Sequence, residues 1–491
     1  MQTVRGYIID TKLDSIAGAL TVAPVVAQDY GPPPKPFHVY EKVSDKTMLV
    51  PRFFMNDQFP SIIENDPLRV IDQGDDIDIT FKGVLRDEQK PIIDAMMAGL
   101  SREGGGIINA ACGTGKTAMA NYLIVALKKK ALIIVHNEYL LQQHLERLQQ
   151  FTNAKVGFIQ GKTVDVDGCD VVLGMLQSIS MKTFPEGFFN CFGTVVVDEC
   201  HHIAARVFSR ALFKICTKYM IGLSATPTRK DGLSKVFHWF LGPIRYSKQV
   251  ERDQIINVKI VQCAGTQPYY KLCYNVRGKA NVPTMITNLT KYPARTNWIV
   301  SQVAAMAVEG RQILVLTDRR AHVIEVAGLL NTRGVQAGMM MGTQKKKEKE
   351  ERKLSLDCQV IVGTYKMVSE GFDCDRLDTL VMATPIREIT QSIGRILRKK
   401  IYELAPLIID MQDKIGPFTS QGAYRKAQYR KQHKPDCHIE IYDKNLDDGD
   451  PTHLGDCRGV VAPIVAKKIH HHLPAPEHTD IYQRLGNECL L

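Results

Sequence analysis

A lysine, two threonines and two glycines stand close together in AACGTGKT, residues 110–117, between an apolar run (GGGIIN) and a helix-like run (AMANYLIVAL). Gly113 and Gly115 let backbone N–H groups turn toward an anion with no Cβ in the way, and the helix that follows adds its positive N-terminal dipole. Thr114 sits between the two glycines, and Ala110 stands where the usual pattern has its first glycine. In such a loop Lys116 reaches β- and γ-phosphates, and the Thr117 hydroxyl holds Mg²⁺. A second acidic element is needed, and TVVVDECHH supplies it as an apolar strand ending in Asp198 and Glu199. A carboxylate at a strand's carboxyl end faces the crevice where ligands bind in parallel sheets. Asp198 is the expected metal carboxylate, directly or through water, and Glu199 the group that orients and deprotonates an attacking water. Loop and acidic strand end together are the chemistry of a nucleoside triphosphatase.

Farther along, QSIGRILR spaces Gln391, Arg395 and Arg398 by four and three, on one face of a helix. Arginines from a separate lobe stabilise transition-state charge on a γ-phosphate only when the cleft between lobes closes. Hydrolysis is then coupled to lobe motion, as a motor requires.

These groups need scaffolds, and the surrounding pattern predicts two. GGGIINA, ALIIVH, DVVLGM, TVVVDE and YMIGLSA alternate with helix-patterned stretches such as NEYLLQQHLERLQQF. Continuous apolar strands separated by helices imply a parallel sheet covered on both faces. A second alternating block follows: QILVLTD, AHVIEVAGLLNTRG, QVIVGTY, TLVMATP and APLIID. The expected class is therefore α/β, two doubly wound parallel-sheet lobes in tandem behind a small β-rich N-terminal accessory region. The expected divisions are 1–79 for that region, 80–245 for the first lobe, 246–290 for a connector, 291–435 for the second lobe and 436–491 for a polar tail. A chain of 491 residues exceeds what one core supports.

No stretch reaches the roughly 18 uninterrupted apolar residues of a membrane span, and the N-terminus lacks a signal-peptide core. Twelve cysteines are scattered without a CxxC pair, so reduced thiols, an intracellular soluble protein and no structural zinc are expected. The compartment is not legible. His470, His471 and His472 read as a solvated tail. The net charge of +11 favours a polyanionic partner.

Taken in order, LRDEQKPIIDAM, AACGTGKT, ALIIVHNEYLLQQ, VVLGMLQSIS, VVVDECHH, GLSATPTRKDG, ILVLTDRRAHV, VIVGTYKMVSEGFD and QSIGRILR span residues 85–398. This set resembles the superfamily 2 helicases, whose lobes are RecA-like. Within them, the DExH form, SATPTRKDG and MVSEGFD are similar to the branch holding xeroderma pigmentosum group B helicases, phage UvsW and poxvirus-type transcript-release helicases of large DNA viruses. The resemblance implies ATP and Mg²⁺ as cofactors. It implies that Gln89 reads the adenine edge with Arg86 near the base. His201, Ser224 and Thr226 would relay the nucleotide state between lobes, Gly371 and Asp373 would meet its ribose and phosphate side, Gln391, Arg395 and Arg398 would close the cleft, and Thr364 would touch the strand backbone. His136-Asn137 departs from the family's Pro-Thr, Met175 from its threonine, and Glu88 from its frequent aromatic. Base stacking would then come from elsewhere, with Phe81 as one candidate.

A motor that tracks a strand grips phosphates. The candidate grips are Arg319 and Arg320, the charge run 345–353, RILRKK (395–400), and AYRKAQYRKQHK (423–434), whose Tyr424 and Tyr429 could stack on bases. The leading expectation is a nucleic-acid-stimulated ATPase acting on DNA, as a helicase or translocase working beside repair or transcription machinery. The alternatives are an RNA-directed helicase or transcript-release factor, and an ATP-switched interaction protein that moves no strand.

Overall fold

The computed structural model describes residues 2–3, 6–10, 14–24, 35–44, 46–58, 74–110, 113–200, 205–215, 217–225, 232–248, 255–266, 268–341, 354–369, 374–397, 402–432, 437–448, 450, 453–454 and 456–461. Its strands, in chain order, begin with β1 (Gln2–Thr3), β2 (Gly6–Asp10), β3 (Thr21–Val22), β4 (Phe37–His38), β5 (Glu41–Lys42) and β6 (Thr47–Val50). Next come β7 (Gly105–Ala110), β8 (Ala131–Val135), β9 (Val156–Gln160), β10 (Thr163–Asp165), β11 (Val171–Met175), β12 (Thr194–Val197), β13 (Tyr219–Ser224) and β14 (Ile244–Lys248). The remainder are β15 (Ile256–Ala264), β16 (Ile313–Thr317), β17 (Ala337–Met340), β18 (Val360–Thr364), β19 (Thr379–Met382), β20 (Leu407–Asp413), β21 (Cys437–Asn445) and β22 (Asp456–Val461).

The first large sheet runs β10-β9-β11-β8-β12-β13-β7-β14, and only the β10–β9 pair is antiparallel. Its strands are Val/Ile-rich because both faces are covered. Ile107, Leu132, Ile134, Val195 and Val197 enter one core, whereas their neighbours Ile108, Ile133, Val135 and Val196 enter another on the opposite face. The second sheet runs β17-β18-β16-β19-β20-β15-β21-β22, antiparallel only at β21–β22. There Ile313, Val315 and Val362 face one core, and Leu314, Leu316 and Ile361 face the other. Two doubly wound α/β lobes are the architecture.

Two stretches differ from the pattern read in the sequence. β15 lies inside the expected connector, yet it pairs in parallel with both β20 and β21. β21 and β22 fall in the expected tail and extend the same sheet. Their polar alternation, as in CHIEIYDKN, hid them, and the β15–β21 pairing joins strands far apart in sequence.

The N-terminal strands form an antiparallel sheet, β1-β2-β6-β5. The helix Arg52–Gln58 anchors this region on the first lobe. Arg52 is buried and donates to the carbonyls of Glu103, Thr217 and Lys218. Those carbonyls precede β7 and β13, so the accessory region sits at the amino ends of these strands, opposite the phosphate-loop motif. Phe54 meets Trp239 edge-on at 5.3 Å.

The second lobe is pinned by two buried charge clusters. Arg295 grips Asp413 through Nε (3.1 Å) and Nη2 (3.0 Å), gives Nη1 to the Ala383 carbonyl, and Tyr270 donates to the same carboxylate. Arg425 and Tyr429 converge likewise on Asp410, at 2.8 Å and 3.1 Å. This overturns one expected grip: Tyr429 is fully buried and cannot stack on a base. The i, i+4 spacing puts both residues on the inner face of the helix Pro417–Gln432, where a carboxylate satisfies them. Tyr424 lies under the Arg387 guanidinium at 4.6 Å. Arg295→Met should destabilise the protein by about 3–5 kcal/mol, because it strands a buried carboxylate. Chemical denaturation monitored by circular dichroism checks this.

Candidate active site

The phosphate loop is built as its residues demand. Gly113 and Gly115 have φ of 85° and 81°, the left-handed region that favours glycine. A Cβ on Gly115 would lie 2.4 Å from Gln89 Nε2, so size as well as φ fixes that position. The helix Lys116–Leu127 starts directly after it. Lys116 Nζ rests 2.9 Å from the Ala110 carbonyl. Arg86 and Gln89 hold the loop from outside: Arg86 Nη2 and Gln89 Nε2 donate to the Thr114 carbonyl at 2.6 Å and 2.8 Å. Gln89 Oε1 also accepts the Arg86 N–H. The pair expected at the base therefore braces the loop as well, and Gln89 keeps one N–H and one lone pair for a ligand.

Asp198 follows β12 and is buried. Its Oδ1 accepts the Glu199 N–H at 2.8 Å, and its Oδ2 meets His144 Nε2 at 2.8 Å. Burial alone would raise this carboxyl's pKa, but the His144 hydrogen bond, the Lys116 charge and the Glu199 N–H hold it below the usual range. Glu199 is pushed the other way. Burial raises it and the Asp198 charge adds to that, against the opposing pull of Lys116 and Arg395. Glu199 also sits at φ 46°, a strained backbone for a side chain of its size. Two adjacent carboxyls with opposite shifts suit a split of labour: one stays ionised, the other is able to take a proton.

A cavity of about 430 Å³ joins these groups. Gln89, Gly113, Gly115, Lys116, Thr117, Asp198 and Glu199 line it from the first lobe, and Arg395 and Asp375 from the second. Arg395, on the helix Thr390–Ile396, is buried. The seam between the lobes is thus part of the site. Phe81 also lies in the lining beside Phe151, with ring centroids 5.8 Å apart and stacked. Asp375, two residues past the motif SEGFD, was not singled out by sequence; its spacing from Asp373 was the available signal.

The donors fit Mg²⁺. Thr117 and Asp198 offer hard oxygens to one cavity, and Asp198 keeps lone pairs beyond its two hydrogen bonds. Among the described residues no cluster of three or more His, Cys, Asp or Glu could cage a metal. Mg²⁺ in nucleotide sites takes one or two protein ligands with phosphates and water, so no such cage is required.

Other expected residues are placed less fully. Ser224 ends β13, fully buried, opposite Asn109 of β7. Thr364 ends β18, half-buried, and its Oγ1 accepts the Met367 N–H at 3.4 Å. Arg319 gives its guanidinium to Asp318, the Pro283 carbonyl and Thr287 Oγ1, so it braces the helix Val282–Thr290. Arg320 opens the helix Arg320–Thr332. Asn137 caps the helix Glu138–Phe151 by accepting the Leu140 N–H at 2.8 Å, which accounts for an asparagine there. His201, Thr226, Gly371, Asp373, Arg398, the run 345–353 and the histidines 470–472 lie outside the described residues, as does the side chain of Gln391. No helix among the described residues is long and apolar enough to cross a membrane.

A phosphate loop, an acidic strand end and an arginine from a second lobe define a two-lobed ATPase. Residues 82–229 match the family described as Type III restriction enzyme, res subunit. The chain is 32% identical over 447 residues to a protein named as an ATP-dependent RNA helicase in Acanthamoeba polyphaga mimivirus, covering 87% of this chain and 84% of the relative. It is 32% identical over 167 residues to the DNA 3'-5' translocase XPB2 of Sulfurisphaera tokodaii, covering 34% of this chain and 36% of that one. A fragment of an HsdR subunit of a type I restriction enzyme from Vibrio vulnificus shares the fold at a TM-score of 0.52 and 16% identity, covering 77% of this chain and 70% of the fragment. The chain belongs to the superfamily 2 helicases. It is an ATP-dependent helicase or translocase with relatives among large DNA viruses.

Proposed function

We propose that the protein hydrolyses ATP at the seam between its lobes to move along or separate the strands of DNA. One observation carries the reading: Arg395 of the second lobe shares a cavity with Lys116, Asp198 and Glu199 of the first. Lys116 and the loop N–H groups bind the phosphates, with Thr117 and Asp198 as the residues that would hold Mg²⁺. When bound, the ion would neutralise charge on the β- and γ-phosphates. Glu199 takes the proton of the attacking water, and Arg395 and Arg398 stabilise the charge that develops on the transferred group. Gln391, Gly371 and Asp373 complete the second lobe's side, while His201, Ser224 and Thr226 link it to the first. Phe81 stacks on the base that Gln89 and Arg86 flank.

The grip on nucleic acid draws on Thr364, Arg320 and a turn absent from the sequence-based set. Residues 254–308 contain no Asp or Glu. Within them Asn275 Oδ1 accepts the N–H groups of Arg277 (2.9 Å) and Lys279 (3.1 Å), which fixes a turn presenting both cations to solvent. That turn leads into the helix braced by Arg319.

DNA is favoured by the restriction-enzyme match across the site residues and by the DNA translocase among the relatives. The RNA-directed reading is favoured by the name of the mimivirus relative. The test is ATPase rate across single-stranded, duplex and forked DNA, RNA and RNA–DNA hybrid, at one stated salt concentration. DNA should stimulate most, and affinity should fall with salt at a log–log slope of about −0.7 to −0.9 per phosphate contact. Stronger stimulation by RNA would shift the assignment, and indifference to every nucleic acid would remove it.

A further inference from the structure

The helix Glu138–Phe151 buries Leu140, Leu141, His144 and Leu148. Three of these are leucines on the stripe that packs against the sheet, and the fourth is a fully buried imidazole. Packing alone calls for an apolar side chain at that place, since burying a polar ring without full hydrogen bonding is unfavourable. The ring is not fully bonded: Nδ1 has no hydrogen-bond partner among the described residues. Its one hydrogen bond among the described residues is Nε2 to Asp198 Oδ2, at 2.8 Å.

We propose that His144 is a positioning residue for the metal carboxylate, a role that rests on the reading of Asp198 as a ligand of the nucleotide's Mg²⁺. An ionised carboxylate only accepts hydrogen bonds, so Nε2 must carry the proton and donate. With the Glu199 N–H on Oδ1 and His144 on Oδ2, both oxygens are tied and the plane of the carboxylate is set. Each oxygen retains a lone pair, now in a fixed direction, for the cation or its water. The same helix supplies Leu140, Gln143, Arg147 and Phe151 to the cavity wall. His144 therefore locks the wall and the carboxylate into one unit. Outer partners of this kind commonly alter metal affinity 10- to 100-fold when removed.

The experiment measures equilibrium binding of a fluorescent ADP analogue, with Mg²⁺ and with chelator, to the full chain and to His144→Ala and His144→Gln. The gain in affinity that Mg²⁺ confers should shrink about tenfold in His144→Ala, while binding in chelator stays within about twofold. Gln carries an N–H at nearly the reach of Nε2, so His144→Gln should recover most of the gain; thermal melts monitored by circular dichroism establish that both variants are folded. An unchanged Mg²⁺ gain in folded His144→Ala overturns the proposal, as does an equal loss in folded His144→Gln. Should His144→Ala fail to fold, His144→Leu, which fills the apolar stripe without an N–H, takes its place with the same expected loss. If the parent protein shows no Mg²⁺ gain at all, the metal reading of Asp198 falls and takes this role with it; a gain in the parent that survives in His144→Ala removes only the role of His144.

Discussion

Lys116→Ala is expected to abolish turnover while leaving a folded protein. The ammonium lies in the cavity wall and donates to the Ala110 carbonyl at 2.9 Å. It is in position to swing onto a phosphate. Losing one charge-assisted hydrogen bond is worth about 1.5–3 kcal/mol, so ATP affinity should fall about 10- to 100-fold. The larger loss is in the chemical step, because a preorganised cation is worth more where charge develops, and kcat should fall at least about 10²-fold. Lys116 also opposes the upward shift of Glu199, so the variant's general base is less often ionised. Alanine is the best helix former and the position begins a helix, so the melting temperature should hold. Phosphate release at saturating ATP and nucleic acid measures the effect. Parental turnover in this variant would refute the site.

How far the sequence revealed all this depended on whether the signal was local. Gly113, Gly115, Lys116 and Thr117 are nearly consecutive, and their types encode the turn, the charge and the hydroxyl together. β12 is a run of four buried residues, TVVV, ending against Asp198. Both were readable because strand, loop and chemistry occupy one short window. His144 was not readable, since its partner lies 54 residues away and a helix pattern with one polar position looks like a solvated edge. The same blindness affected Arg425 and Tyr429, whose segment reads as a basic surface until Asp410 is placed beneath it. β15 failed for a topological reason: Ile256 pairs with Cys437 and Asn257 with Leu407, and no residue near β15 in sequence announces either neighbour. Local motifs carried the nucleotide chemistry, while long-range burial carried the scaffold that orients it.

Arg395→Ala is expected to separate binding from catalysis. The residue comes from the second lobe, is buried, and faces the cavity that holds Lys116 and Glu199. Its charge reaches Glu199, where it works against the upward pull of burial. Most of the residues lining the cavity belong to the first lobe, so affinity should change by less than about threefold. In the role proposed for it the guanidinium meets transition-state charge on the transferred group, and an arginine so placed is worth about 10³–10⁵ in kcat. Arg395→Lys should rescue little, because an ammonium lacks the planar fork that spans two oxygens. Stimulation by nucleic acid should shrink with the residue, leaving Arg398 as the other cation proposed for the second lobe. Single-turnover hydrolysis and nucleotide affinity, each measured with and without nucleic acid, read the two effects apart. If kcat/KM and affinity fell by the same factor with kcat unchanged, Arg395 would be holding the ground state, and the coupling of cleavage to lobe closure would need another residue.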